Sequence, residues 1–164
     1  MEIRFHKLTD AHHRLEIERS DGTKDEVECE TRSYLLHDLT HFAVESAAEL
    51  DHGFWALLAR GVSLAALAHD AKEATAWPRL MAIEKIVASL QGPLSHQEPR
   101  ALHAHFTDLA DAQNTALPEW FTEDMLSRAQ DIRRRLVGHW RATAYGKTMQ
   151  ISWPCTEPPN QRPR

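Results

Sequence analysis

Alternation of apolar and polar residues with a period of two is confined to the two ends of this chain. The long stretch between them carries helical spacing. From Ile3 to Leu8, Ile3 and Phe5 share one face while Arg4 and His6 take the other. Arg14 to Arg19 repeats the pattern with Leu15 and Ile17. Asp21-Gly22 marks a hairpin turn, and Glu26 to Cys29 predicts the returning strand. Thr148 to Trp153 alternates again through Met149, Ile151 and Trp153. Strands need partners, so the pattern predicts one small antiparallel sheet joining the N-terminal hairpin to the C-terminal strand.

The middle of the chain reads as helices separated by clear stops. Thr31 or Ser33 is placed to cap a first helix that runs to about Leu50 and ends at Gly53. Phe54 to Gly61 predicts a short helix closed by its glycine, and Ser63 caps another through Leu64, Leu67 and Ala71. Pro78 suits the first turn of a helix that Gly92-Pro93 stops, and Pro99 opens the next. Thr122 caps a long last helix, acidic at its start (Glu123, Asp124) and basic later (Arg133, Arg134, Arg135, Arg141), ending at Gly146. The fold class expected is α+β and mostly helical, a helical bundle with a small sheet. One globular domain covers 1–153, and the proline-rich residues 154–164 read as a disordered tail.

Within the first helix, Leu36-His37-Asp38-Leu39-Thr40-His41-Phe42-Ala43-Val44-Glu45 places His37, His41 and Glu45 four residues apart. At about 100° per residue these three and Asp38 fall in one sector of about 100°, beside an apolar stripe of Leu35, Leu36, Leu39, Phe42, Ala43, Ala47 and Leu50. Two imidazoles one turn apart can share a cation. The same pattern also fits a solvated helix face. Val44 and Ala48 lie in the polar sector where a solvent face would carry Lys, Arg or Gln, and between positions 32 and 59 there is no Lys and no Arg besides Arg32. That points to a covering element and a metal held beneath it.

Other constellations are weaker. His69 and Glu73 are again four apart and could complete the site from a neighbouring helix. His103 and His105 point to different helix faces, His139 adjoins Trp140, and Cys29 precedes the histidine helix by a few residues. The arginines of the last helix point around it in several directions, so they describe a solvated face better than a phosphate site. Gly-rich phosphate loops, Gly-x-Ser-x-Gly and Cys-x-x-Cys do not occur.

His37-Asp38-x-x-His41 resembles the zincin signature His-Glu-x-x-His, with Asp38 in the acid's place. The resemblance implies zinc held by the histidines and a water activated by the acid. Val44 and Ala47 stand where the metzincin extension requires Gly and His. A coenzyme Q biosynthesis family shares His-Asp-x-x-His but carries a glutamate where this chain has Gly53. Residues 34–61, with Leu-His-Asp-Leu-x-His-Phe-x-Val-Glu followed by Gly-Phe-Trp-x-Leu-Leu-Ala-x-Gly, resemble a family of small uncharacterised bacterial proteins. That likeness implies a shared helix-turn-helix corner and no activity.

The composition bounds the remaining choices. A hydrophobic fraction of 42% and a formal charge of −5 describe an ordinary globular chain without the basic excess that nucleic-acid binding uses. No apolar run approaches the roughly 18 residues of a membrane helix. The N-terminus lacks a signal-peptide pattern, and Cys29 and Cys155 make no disulfide framework, so a cytoplasmic, bacterial-type protein is expected. Two functional expectations stand side by side. The first is a metal-binding protein, a zinc-dependent hydrolase, with Zn²⁺ or another divalent cation on His37 and His41. Glu45 is then a third ligand or a group behind the ligands, and Asp38 the base or an imidazole orienter. The second is a non-catalytic helical interaction protein that forms a homo-oligomer.

Overall fold

A computed structural model describes residues 1–70 and 78–154, and of 68–70, 78, 79, 81 and 93 the backbone only. Four strands form one antiparallel sheet: β1 (Glu2–Lys7), β2 (His12–Glu18), β3 (Lys24–Glu30) and β4 (Thr148–Ser152), in the order β3-β2-β1-β4. The C-terminal strand lies beside β1, with Ile3 opposite Ile151 and Phe5 opposite Met149. The sheet is therefore the one the alternation predicts. Its inner face carries Ile3, Phe5, Leu15, Ile17 and Met149, all buried, while Arg4 on the outer face bridges Glu16 and Glu18 at 2.9 and 2.7 Å. The β2–β3 turn uses Gly22 at φ +82°, the left-handed conformation that a side chain would oppose.

Helices α1 (Leu36–Ala47), α2 (Phe54–Ala59), α3 (Leu64–Asp70), α4 (Pro78–Gln91), α5 (Pro99–Ala112) and α6 (Glu123–Ala142) follow in chain order. Several stops are those expected. Thr122 accepts from Met125 N at 3.1 Å and caps α6, Ser63 Oγ accepts from Ala66 N at 3.1 Å, and prolines open α4 and α5. Arg19 ties the sheet to the end of α2 by donating to Leu58 O at 2.6 Å and Val62 O at 2.9 Å.

Three expectations about helix ends and faces are corrected. Neither Thr31 nor Ser33 caps α1. The chain is still paired to the β1–β2 loop at that point (Thr31 N to Ala11 O, 2.7 Å) and enters α1 through a π-helical turn over Thr31–Leu35. Thr31 Oγ1 instead meets His13 Nδ1 at 3.2 Å. Gly53 does not end α1. The helix stops at Ala47, and Glu49 takes the left-handed conformation (φ +51°) while Leu50 N bonds back to Glu45 O at 3.0 Å. Gly53 precedes α2 instead. Likewise α6 ends at Ala142, and Gly146 (φ +72°) belongs to the turn before β4.

Two apolar cores meet on α1. Leu35, Leu39 and Phe42 join the sheet, Trp55, Leu58, Leu136 and Trp140 in one. Val44, Ala47 and Leu50 join Ile83, Val87, Leu90, Leu102, Phe106, Met125 and Leu126 in the other. Leu36, expected in the apolar stripe, is 40% exposed, whereas Val44 from the polar sector is fully buried. The reason is that α4 packs where solvent could have been, so α1 is a central helix with two buried sides rather than an amphipathic edge.

His13 on β2 is fully buried between Phe5 and Trp140, with ring centroids 6.0 and 5.9 Å away, and its Nε2 has no hydrogen-bond partner. Burial pushes its pKa down to about 4, with His12 adding to the effect. The unfolded chain then binds a proton that the folded chain refuses, and stability falls as pH drops from about 6.5 towards 4. Replacing His13 with Leu removes this loss. The urea-unfolding free energy of the wild type should fall by about 2 kcal/mol more than that of His13→Leu between pH 7 and pH 5. Equal falls in the two proteins would contradict the assignment.

Candidate metal centre

The polar sector of α1 is covered. His41 and Glu45 are almost wholly buried, Asp38 is 6% exposed, and α4 and α2 close over them. The reading of this face as a solvated surface does not describe it.

Helix α4 contributes Glu84 and Gln91, seven residues apart and therefore on one stripe of the helix. His37 meets Gln91 and His41 meets Glu84, so the two helices run past each other antiparallel. His41 Nε2 lies 3.1 Å from Glu84 Oε1, and His37 Nε2 lies 3.6 Å from Glu84 Oε2. The rings stand 4.6 Å apart at 69°. One donor atom from each of His37, His41 and Glu84 lies within 4.8 Å of the others. Ligand atoms about 2.0 Å from a tetrahedral ion sit about 3.3 Å apart, close to these spacings.

One further observation fits a cation. The buried His41 ring is held from behind, its Nδ1 meeting Glu45 Oε1 at 2.9 Å, and metal-binding imidazoles characteristically give their second N–H to such an acceptor. His41 Nε2 is buried 3.1 Å from Glu84 Oε1, and His37 Nδ1 lies 2.9 Å from Gln91 Nε2.

Glu45 lies behind the His41 ring and outside the group of three donor atoms. Its Oε1 also accepts from Phe54 N at 2.9 Å, and Oε2 accepts from Trp55 N at 3.0 Å. These amides begin α2, where helical N–H groups have no partner within the helix. The carboxylate therefore joins α1, α2 and the His41 ring, and the third member of the donor group is Glu84. Spacing within one helix could not reveal Glu84, which belongs to a different helix from His37 and His41; its sole signal in the sequence is that it shares a helix stripe with the polar Gln91. Asp38 hydrogen-bonds neither imidazole. Its main-chain oxygen accepts from Trp55 Nε1 at 3.3 Å.

The electrostatics follow from this packing. Burial disfavours the charged His41 ring, but the carboxylates of Glu45 and Glu84 outweigh it and raise the pKa to about 9. His37, beside a second ring and partly buried, is pushed the other way, by burial first and His41 next. Burial lifts the Asp38 carboxyl to about 7, with Glu84 adding to the rise and His41 opposing it. Cys29 is half-buried, and burial pushes its thiol up to about 11, so it is neither in the donor group nor reactive. Glu73 and Cys155 lie outside the described residues, as does the side chain of His69.

The chain matches no family model, no curated protein and no solved structure.

Gly53 shows how tightly the centre is built. A Cβ there would lie 2.2 Å from the Glu45 carboxyl carbon, although the backbone (φ −86°) suits any residue. Glycine is required by contact, not by conformation. Gly53→Ala should cost about 2–4 kcal/mol, because the buried carboxylate must leave its amide donors. Thermal or urea unfolding measures it, and wild-type stability in the variant would show that the carboxylate is not so confined.

Proposed function

We propose that this protein is a metal-dependent enzyme of hydrolytic type, with a divalent cation held by His37 and His41 of α1 and Glu84 of α4. The observation that carries the reading is the group of three donor atoms, one each from His37, His41 and Glu84, within 4.8 Å of one another at a covered helix face. Two imidazoles and one carboxylate are a donor set that suits Zn²⁺ and leaves a coordination position free. His37 and Glu84 are about one-third exposed, 33% and 30%, so an ion held there would lie beside solvent, within reach of a substrate.

A zinc ion there would supply Lewis acidity and lower the pKa of a water molecule it takes up. The chain's own residues have separate tasks. Glu45 fixes the His41 ring, and the Gln91 side chain lies against His37. Asp38, one residue from His37, is close enough to His41 and Glu84 for both to shift it. A carboxyl near pH 7 can exchange a proton under working conditions, which supports Asp38 as the base.

Protein purified without a histidine tag and dialysed against Zn²⁺ should retain one ion per chain by elemental analysis. Glu84→Gln and His41→Ala should each weaken retention by more than about 10-fold. The zinc-loaded protein should hydrolyse 4-nitrophenyl acetate, and Asp38→Asn should lower that rate while keeping the metal. Absence of stoichiometric zinc in the wild type, or unchanged uptake in both ligand variants, would overturn the reading.

A further inference from the structure

Among the described residues the sheet has two edge strands, β3 and β4, and they differ in what they show a neighbour. β4 bonds to β1 through its odd-numbered residues and their continuation: Trp153 N donates to Met1 O at 2.8 Å, and Lys7 N donates to Lys147 O at 2.9 Å. Alternate residues of a strand turn their N–H and C=O to opposite sides. Thr148, Gln150 and Ser152 therefore aim theirs away from β1, and among the described residues no strand lies on that side. On β3 the outward residues are Lys24, Glu26, Glu28 and Glu30, because Thr23 O and Thr31 N bond towards the β2 side.

An open edge is a template for another strand, and proteins commonly block it with charge. β3 is blocked in this way. Its four outward residues are charged and exposed, and two such strands paired over their length would set Glu26 against Glu28. β4 carries no charge from Thr148 to Trp153. Its exposed polar side chains are tied back to β1. Gln150 Nε2 donates to Glu2 Oε2 at 2.6 Å, Gln150 Oε1 accepts from Arg4 Nε at 3.3 Å, and Ser152 Oγ donates to Glu2 Oε1 at 2.7 Å. What this edge offers a neighbour is main chain.

The strand also complements itself. Two copies laid antiparallel across a twofold axis at Gln150 bring Gln150 opposite Gln150 and Thr148 opposite Ser152, each pair exchanging both main-chain bonds. No like charges oppose one another in that register. On the inner face Ile151, half-buried at the margin of the core, comes beside Met149 of the other copy and is covered. Leu8 and Tyr145, 38% and 55% exposed, stand where β4 begins and add apolar surface at the ends of the same edge.

We infer that β4 is a dimer interface: two copies pair their β4 edges antiparallel about Gln150, joining the two sheets into one with a charged β3 at each end. This interface goes beyond the metal-centre reading and stands without it.

Sedimentation equilibrium and amide hydrogen exchange on the full chain test it together. The wild type should have twice the chain mass. The amides of Thr148, Gln150 and Ser152 should be protected, and should lose that protection as dilution dissociates the dimer. Gln150→Pro removes one outward N–H and no bond to β1. Gln150→Lys can keep the bond to Glu2 but sets two ammonium groups face to face. Each variant should weaken the dimer by about 10-fold or more. Val27→Lys, on the opposite edge, should leave it unchanged. A monomeric wild type would overturn the interface, as would a dimer whose three amides exchange freely or one that Val27→Lys dissociates and the Gln150 variants do not. Protection that persists in dilute monomer would also overturn it, because another part of the same chain then covers the edge.

Discussion

The carboxylate of Glu45 is the interaction on which the rest of the structure turns. It is fully buried, and its two oxygens receive the His41 ring and the first two amides of α2. A buried charge without such partners would be strongly destabilising, and a helix start without an acceptor would leave its amides unpaired. Each problem is the solution to the other. The short α2 could not hold its place by its own hydrogen bonds, and the carboxylate gives it a fixed point on α1. Trp55 then adds a second link by donating to Asp38 O, and its ring packs against Phe5 and Phe42 in the core beneath the sheet.

This arrangement places polar chemistry at a seam between two apolar cores. Taking His37 as zero and about 100° per residue, Val44 of the second core lies near 340° and Phe42 of the first near 140°. His37, His41, Glu45 and Asp38 fill the gap between them. Helix α4 brings Glu84 and Gln91 over the outer part of that strip, and α2 closes the inner part. The inner members are therefore held rigidly while His37 and Glu84 retain contact with water. Rigid support behind a partly open donor group is what a metal centre with a free position needs.

Much of the scaffold was legible because it depends on local rules. Strand alternation, Asp21-Gly22, Ser63, Pro78, Pro99 and Thr122 each act within a few residues of themselves, and the structure uses them as expected. The pairing of His37 with His41 was legible for the same reason, since one helix turn is a local distance. Thr31 misled because a backbone bond to the β1–β2 loop, not a cap, governs the start of α1. Gly53 misled because its small size serves a contact with Glu45 rather than a helix end. Glu84 and Gln91 were hidden because their role depends on how α4 crosses α1, and a lone acid on an apolar helix carries no periodic mark. Glu45 had the right spacing for a ligand, but the unpaired amides of α2, invisible before the corner folds, claim its oxygens first.

X-ray absorption at the zinc edge, on tag-free protein loaded with one equivalent, tests the central claim most directly. The account predicts two imidazole nitrogens and one or more oxygens at about 2.0 Å, with no sulfur, and loss of one imidazole's outer-shell scattering in His41→Ala. A spectrum with sulfur ligation, or with no ordered imidazole scattering in the wild type, would contradict it.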